Sequence, residues 1–323
     1  MYGNILNAFV SALVGEHLPV KDIIIHSQDI QYKRPVFMGD KLEAEVKVDG
    51  IYESVNAVSF KFSFKNAKGL TVAKGARADR NNISDTKMNI LVTGGSGGLG
   101  KAVVETLARD ANNNVYFTYA SSAYAAEQIV AAHANVTAVR GDFTDSGQLE
   151  DLSRQMPGWD LDVLVNNAWV GKPEGIHFHK LTQEALLRSF TNNVLPTVSV
   201  TQKALETFRE KKSGRIITVL TSYVVGVPPL GYSLYASAKA YLAQMAKSWA
   251  KEYGKMGITS NCVSPEFMRT GFTVGTDTRV IEQMEAKRLL RPQDVADVIA
   301  SLAYASPHLN GVNIPINAGM QMI

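Results

Sequence analysis

The sequence predicts an α/β fold, a doubly wound parallel sheet, preceded by a small α+β domain with an antiparallel sheet. Three observations carry this. From residue 40 to about residue 80 the apolar residues recur with a period of two. From residue 88 onward short apolar runs alternate with amphipathic segments. Between them lies DRNNISDTK, residues 79–87, which is polar and has no apolar period. Strict alternation marks antiparallel strands with one wet face, and alternating strands and helices imply a parallel sheet covered on both faces. The expected domains are therefore residues 1–84 and 85–323.

The first element is a helix over residues 7–14, in NAFVSALVG. No basic segment precedes it as in a signal peptide, and Glu16 and His17 end the apolar run too early for a membrane span. Next, Leu42, Ala44, Val46 and Val48 alternate with charged residues, and Val58, Phe60, Phe62 and Phe64 alternate with Ser and Lys. Residues 66–69 have the composition of a hairpin turn, and residues 70–78 read as the returning strand. Beyond residue 88 the runs NILV, VYFTY, VTAVRG, LDVLVNN, GRIITVLTS and GITSNCVSP read as parallel strands.

Composition narrows the function. The chain has 323 residues, 46% hydrophobic and 20% charged, with a net charge of +3. That is ordinary for a globular protein and gives no reason to expect nucleic-acid binding. One cysteine, Cys262, leaves no disulfide and no cysteine cluster for a metal. A cytoplasmic protein is expected, with no metal and no membrane or nucleic-acid partner.

Two motifs carry chemistry. TGGSGGLG, residues 93–100, follows the first strand of the alternating region. Gly94, Gly98 and Gly100 let the backbone turn sharply and approach a pyrophosphate, which the following helix N-terminus favours. Ser96, Gly97 and Leu99 complete that loop. In YSLYASAKAYL, residues 232–242, Tyr235 lies one helical turn before Lys239 and Tyr232 lies two turns before it. An ammonium beside a phenol lowers its pKa and equips it to exchange a proton.

T-G-x-x-x-G-x-G, then NNA at Asn166, Asn167 and Ala168, then Y-x-x-x-K at Tyr235 and Lys239, resembles the short-chain dehydrogenase/reductase family. Within it the chain looks most like the β-ketoacyl-carrier-protein reductases and acetoacetyl-CoA reductases. The resemblance runs from about residue 88 to the C-terminus and implies a Rossmann domain. It also implies a catalytic serine thirteen residues before the tyrosine, here Ser222, with Thr221 expected to point the other way. Its catalytic asparagine aligns with Asn193, Asn192 being the rival. Tyr235 would act as general acid, Lys239 would lower its pKa and bind the nicotinamide ribose, and Asn193 would hold a water leading to solvent. Asp142 and Phe143 match the adenine contact, with a helix-capping aspartate as the alternative. Asn167, Ala168, Tyr235, Lys239 and Pro265 match further cofactor contacts.

No acidic residue follows the second strand of the alternating region, where Ser121 and Ser122 stand, so NADPH is expected over NADH. Two positions depart from the family pattern: Trp169 replaces a glycine after NNA, and Glu266 replaces the glycine after Pro265. Both were expected to border the substrate. Residues 270–282 were expected to form a mobile lid.

In the first domain, RPVFMGD at residues 34–40 resembles the turn of MaoC-type hot-dog hydratases. The resemblance covers that family's C-terminal half only. Its catalytic Asp and His would lie before the residue 7–14 helix, so the expectation is a degenerate hot-dog module that dimerises, holds an acyl arm or docks a carrier protein. His17 and His26 read as packing or surface residues. Lys211, Lys212 and Arg215 could meet an acidic carrier protein, against a solvated helix end. The expected activity is NADPH-dependent reduction of a 3-oxoacyl thioester, on acyl carrier protein or CoA, by a homodimer or homotetramer. Rival readings are a partner-assisted enoyl-thioester hydratase or dehydratase, a reductase of a non-thioester ketone, and a non-catalytic nucleotide-fold scaffold.

Overall fold

The computed structural model describes residues 23–37, 39–52, 57–81, 87–173, 175–268, 270–271 and 290–319. The expected helix at 7–14, His17, the boundary at Ser84 and most of the expected lid at 270–282 lie outside the described residues. The chain divides into two compact units, Met1–Asp85 and Thr86–Ile323.

The first unit holds a four-stranded antiparallel sheet of β1 (Ile23–Tyr32), β2 (Leu42–Tyr52), β3 (Ala57–Asn66) and β4 (Thr71–Asn81), in the order β1-β4-β3-β2. The period-two pattern sets its faces. Phe60, Phe62 and Phe64 are buried together with Val72 and Ala73. The intervening positions carry charges, and Lys61 pairs with Asp49 at 2.6 Å and Lys65 with Glu45 at 3.4 Å. Register follows, because a one-residue slip would turn the phenylalanines to solvent. Asn66 builds the hairpin turn: its Oδ1 accepts from the N–H groups of Lys68 and Leu70, and Gly69 takes φ +74. The RPVFMGD segment turns in the same way, with Gly39 at φ +92 and Asp40 accepting from the Phe37 N–H at 2.7 Å. Arg34 donates to the Thr71 carbonyl at 2.6 Å, tying that turn to the start of β4.

Strand β1 was not foreseen, and β4 runs beyond residue 78. One cause explains both. Residues 23–32, IIIHSQDIQY, do not alternate, and the pairing of β1 with β4 shifts register between Ile25 and Ser27. Beyond that bulge Ile23 pairs with Asn81, so polar residues expected to be linker become strand.

The second unit is a seven-stranded parallel sheet. Its strands are β5 (Asn89–Val92), β6 (Asn114–Tyr119), β7 (Val136–Arg140), β8 (Val163–Asn166), β9 (Gly214–Val219), β10 (Ile258–Pro265) and β11 (Asn313–Ile316), in the order β11-β10-β9-β8-β5-β6-β7. This is the doubly wound fold that the alternation predicted. The helices are α1 (Gly98–Ala108), α2 (Ala123–Ala132), α3 (Ser146–Gln155), α4 (Gln183–Ser189), α5 (Leu195–Lys211), α6 (Ser233–Tyr253) and α7 (Pro292–Ala303). Two buried clusters hold the sheet. One includes Ile90, Val103, Leu107, Phe117, Val163, Val295 and Ile299, and the other Leu91, Leu164, Phe208, Ile216, Leu242 and Trp249. Every residue of β8 and β10 is buried, as expected of central parallel strands.

The chain runs outward from β5 through β6 to β7, then returns to place β8 on the other side of β5. Ligands of such sheets bind beyond the C-terminal strand ends at that reversal.

Candidate active site

The C-terminal ends of β5 through β10 open into a cavity of about 890 Å³. At one end lies the glycine loop after β5. Gly94 and Gly98 take φ +68 and +54, values side chains resist, and a Cβ on Gly94 would lie 2.9 Å from the Ala168 Cα. Asn167 braces the loop from the next strand, its Nδ2 donating to the carbonyls of Thr93 and Gly94 at 3.0 Å each. A Cβ on Gly100 would strike the Gly94 carbonyl oxygen at 2.0 Å, so the helix can start this close only with glycine there. Nothing lies within 4 Å of a Cβ at Gly97, which leaves a cradle open in front of the helix. That is the shape a pyrophosphate needs.

All the expected cofactor contacts line this cavity: Gly94, Ser96, Gly97, Gly98, Leu99, Gly100, Ser121, Asp142, Phe143, Asn167, Ala168, Tyr235, Lys239 and Pro265. Asp142 does not cap a helix. Its Oδ1 accepts from the Thr144 N–H and hydroxyl, while Asp145 is the residue that caps α3. Thr270 also lines the cavity and stands over Gly98.

At the other end are Tyr235 and Lys239, one turn apart on α6 as their spacing requires. Lys239 is 4% exposed, and its ammonium donates to the Val219 carbonyl at 2.7 Å. The same nitrogen lies 4.5 Å from the centre of the Trp169 ring. Trp169 in turn meets the Tyr235 ring edge-on at 4.9 Å. The indole thus fills the place of the family's glycine and holds the lysine by cation–π contact. Tyr223 packs edge-on against both Tyr232, at 5.6 Å, and Tyr235, at 6.2 Å. Tyr232 therefore belongs to the cavity wall.

Two expectations are corrected here. The side chain facing Tyr235 is Thr221, not Ser222. Thr221 lines the cavity and hydrogen-bonds the Tyr235 hydroxyl. Ser222 is 0% exposed, does not line the cavity, and its Oγ has no hydrogen-bond partner. The reason is where the strand stops. β9 ends at Val219, the backbone stays extended through Thr221, and a single 3-10 turn begins at Ser222. Val219, Leu220 and Thr221 all line the cavity along that stretch, and Ser222 turns away from it. The thirteen-residue spacing selected the neighbour.

The second correction concerns charge. Burial, more than any neighbouring charge, sets the Tyr235 pKa. Burial pushes Tyr235 well above its ordinary value, the neighbouring Tyr223 adds to this, and the Thr221 hydrogen bond opposes it. Burial also pushes Lys239 down to about 7, with a small opposing effect from Cys262. A lysine tuned to that value exchanges its proton near neutral pH.

Asn193 sits in a π-helical turn, Phe190–Val194, between α4 and α5. Its Oδ1 accepts from the Val170 N–H at 2.6 Å, and its Nδ2 donates to the carbonyls of Ser189 and Val170. It does not line the cavity but fixes Val170, which does. Sequence reasoning missed Thr221, Tyr223 and the bracing role of Asn193.

Among the described residues no group of His, Cys, Asp or Glu could hold a metal ion, and no helix is long and apolar enough to cross a membrane.

The short chain dehydrogenase family model matches residues 88–280. The chain is 31% identical over 251 residues to the 3-oxoacyl-(acyl-carrier-protein) reductase MabA of Mycobacterium avium, covering 76% of this chain and 94% of that protein. It is 31% identical over 241 residues to the 3-oxoacyl-(acyl-carrier-protein) reductase FabG of Escherichia coli K12, covering 72% and 97%. Against the acetoacetyl-CoA reductase of Allochromatium vinosum the identity is 32% over 248 residues, covering 72% and 98%. A solved dehydrogenase/reductase from Sinorhizobium meliloti 1021 superposes with a TM-score of 0.63 at 28% identity, covering 72% of this chain and 94% of that one. The chain belongs to the short-chain dehydrogenase/reductase family and is an NAD(P)H-dependent oxidoreductase.

Proposed function

We propose that the second unit reduces a 3-oxoacyl thioester to the 3-hydroxyacyl thioester with NADPH. The observation that carries this reading is one cavity running from the glycine cradle to a Thr221–Tyr235–Lys239 group. The names of the relatives, which are 3-oxoacyl-carrier-protein and acetoacetyl-CoA reductases, supply the substrate class.

The residues fit a dinucleotide. Gly94, Ser96, Gly98, Leu99 and Gly100 would receive the pyrophosphate, Asp142 and Phe143 the adenine, and Asn167, Ala168, Lys239 and Pro265 the nicotinamide half. Ser121 and Ser122 are exposed directly beyond β6, where no acidic residue stands in the chain, and that supports a 2′-phosphate. When bound, the dinucleotide supplies hydride to the carbonyl carbon. Thr221 and Tyr235 then direct two hydroxyls at the oxygen as it gains negative charge. Tyr235 gives up its proton as general acid. Its raised pKa keeps that proton in place until an oxyanion more basic than phenolate forms. Lys239, poised near 7, returns a proton to the tyrosine side of the site. Asn193 keeps the Val170 wall in position. Trp169 shields the lysine from water, which preserves its low pKa.

The antiparallel sheet and the RPVFMGD turn support the first unit as a partial hot-dog module that dimerises, holds the acyl arm or docks a carrier protein. Hydration of crotonyl-CoA without nucleotide would replace that reading with a lyase.

The test is absorbance of the reduced nicotinamide with acetoacetyl-CoA and either NADPH or NADH. Faster loss with NADPH is expected, falling at least about a thousandfold in Tyr235→Phe. Loss of signal that persists in Tyr235→Phe would overturn the assignment of the acid.

A further inference from the structure

Glu266 stands just beyond β10, at the position where the family pattern has glycine. It lines the same cavity, and is 7% exposed. Its backbone N–H donates to the Ile316 carbonyl at 2.9 Å, which fixes the residue at the sheet edge. Its side chain has no such anchor. Oε2 is buried without a hydrogen-bond partner, and among the described residues no lysine, arginine or histidine forms an ion pair with it. One oxygen of the carboxylate thus lies in the cavity wall with no group among the described residues satisfying it, which costs stability.

Its place in the cavity shows what is missing. Glu266 lies close enough to Tyr223 for its charge to help push that phenol up to about 12, after burial itself. Tyr223 packs on Tyr232 and Tyr235. The carboxylate therefore sits on the tyrosine side of the cavity, where the proton is donated, and away from the glycine cradle. An acceptor left unsatisfied in the wall of a binding cavity is a group waiting for a donor.

We infer that Glu266 is a specificity-determining residue that accepts a hydrogen bond from a hydroxyl or N–H group carried by the substrate. This rests on the reductase reading above and adds to it: the preferred thioester is polar near its ketone and does not carry a plain alkyl chain there. The family's glycine leaves that wall without a polar side chain, so a plain acyl chain meets no unpaired acceptor. Here such a chain would leave the carboxylate buried and unmatched, and would be rejected for that reason.

The experiment compares the N-acetylcysteamine thioester of 3-oxohexanoate with its 5-hydroxy and 5-acetamido derivatives, using NADPH and wild-type protein, Glu266→Leu and Glu266→Gln. The wild type is expected to favour at least one donor-bearing substrate by about 10- to 100-fold in kcat/KM. Glu266→Leu should abolish that preference while handling the plain substrate at least as well. Because the carboxylate is unpaired, Glu266→Leu should also melt at a higher temperature than the wild type. The same comparison is made at equilibrium, by calorimetric titration of the matching 3-hydroxy products in saturating NADP⁺. Absent turnover with a Glu266-dependent difference in Kd would sink the reductase reading and keep this one. Turnover with no preference, or a preference retained in Glu266→Leu, would sink this one and keep the reductase. A loss of NADPH affinity in Glu266→Leu without substrate would also overturn it, by making the nicotinamide carboxamide the donor.

Discussion

The two units treat charge in opposite ways. In the first, the charged residues of β2 and β3 face solvent and pair with one another, Lys61 with Asp49 and Lys65 with Glu45 across the sheet, and Lys47 with Glu45 along β2. In the second, Lys239 and Glu266 are more than nine-tenths buried, and neither has an ionic partner among the described residues. Exposed pairs add little and ask little of their surroundings. Buried single charges need a rigid shell and are found where a protein does chemistry. The contrast locates function in the second unit without reference to any motif, and four measurements would break or sharpen it.

The largest effect belongs to packing. Phe62 is 3% exposed at the centre of the first unit's small core, so Phe62→Ala should cost about 3–5 kcal/mol in that unit's unfolding. NADPH affinity at 25 °C should be unchanged; a parallel loss of nucleotide binding would tie the two units together and spoil the contrast. Next comes the hydroxyl at the phenol. Thr221→Val should lower kcat by about a hundredfold, the scale of one lost oxyanion donor, while Ser222→Ala should leave kcat within about twofold. The reverse ranking would restore the serine that the spacing selected.

The third measurement concerns Lys239. Its folded pKa of about 7 lies below its unfolded value of 10.5, so the unfolded chain binds the extra proton between those limits. Stability should therefore rise with pH over that window, by about 2 kcal/mol between pH 7 and 9. Cys262, pushed up to about 12 by burial, opposes the rise above its ordinary value of 9.0. Melting curves of Lys239→Met should lack the rise, and a wild-type curve that is flat from pH 7 to 9 would mean the lysine is not desolvated. Last, Lys61→Ala on the first unit's wet face should change stability by less than about 1 kcal/mol at any pH from 6 to 9. A larger loss would show that the outer charges matter there after all.

How much was legible in advance follows the same division. Period and spacing are properties of the chain, so the parallel sheet, the glycine loop and the Tyr235–Lys239 turn could be read directly. Asn167 and the cavity-lining residues followed because they sit at strand ends, whose positions the apolar runs mark. Thr221 was missed because the count to Tyr235 says nothing about where β9 releases the backbone into a turn. β1 was hidden because it opens on three consecutive isoleucines and carries a bulge at His26, so no period of two marks it. The effect of burial on Tyr235 and Lys239 was not legible because a sequence shows that two groups are neighbours and does not show how far water is excluded from both.

The strand order β6-β5-β8 carries a consequence for the chain's synthesis. β5 ends at Val92, yet its partner on one side, β8, begins only at Val163. At ribosomal rates of roughly 5–20 residues per second, one edge of the strand that leads into the glycine loop waits several seconds for its neighbour. The four strands of the first unit are all made before β5 is begun. The nascent protein thus has its antiparallel sheet available early and its catalytic half last.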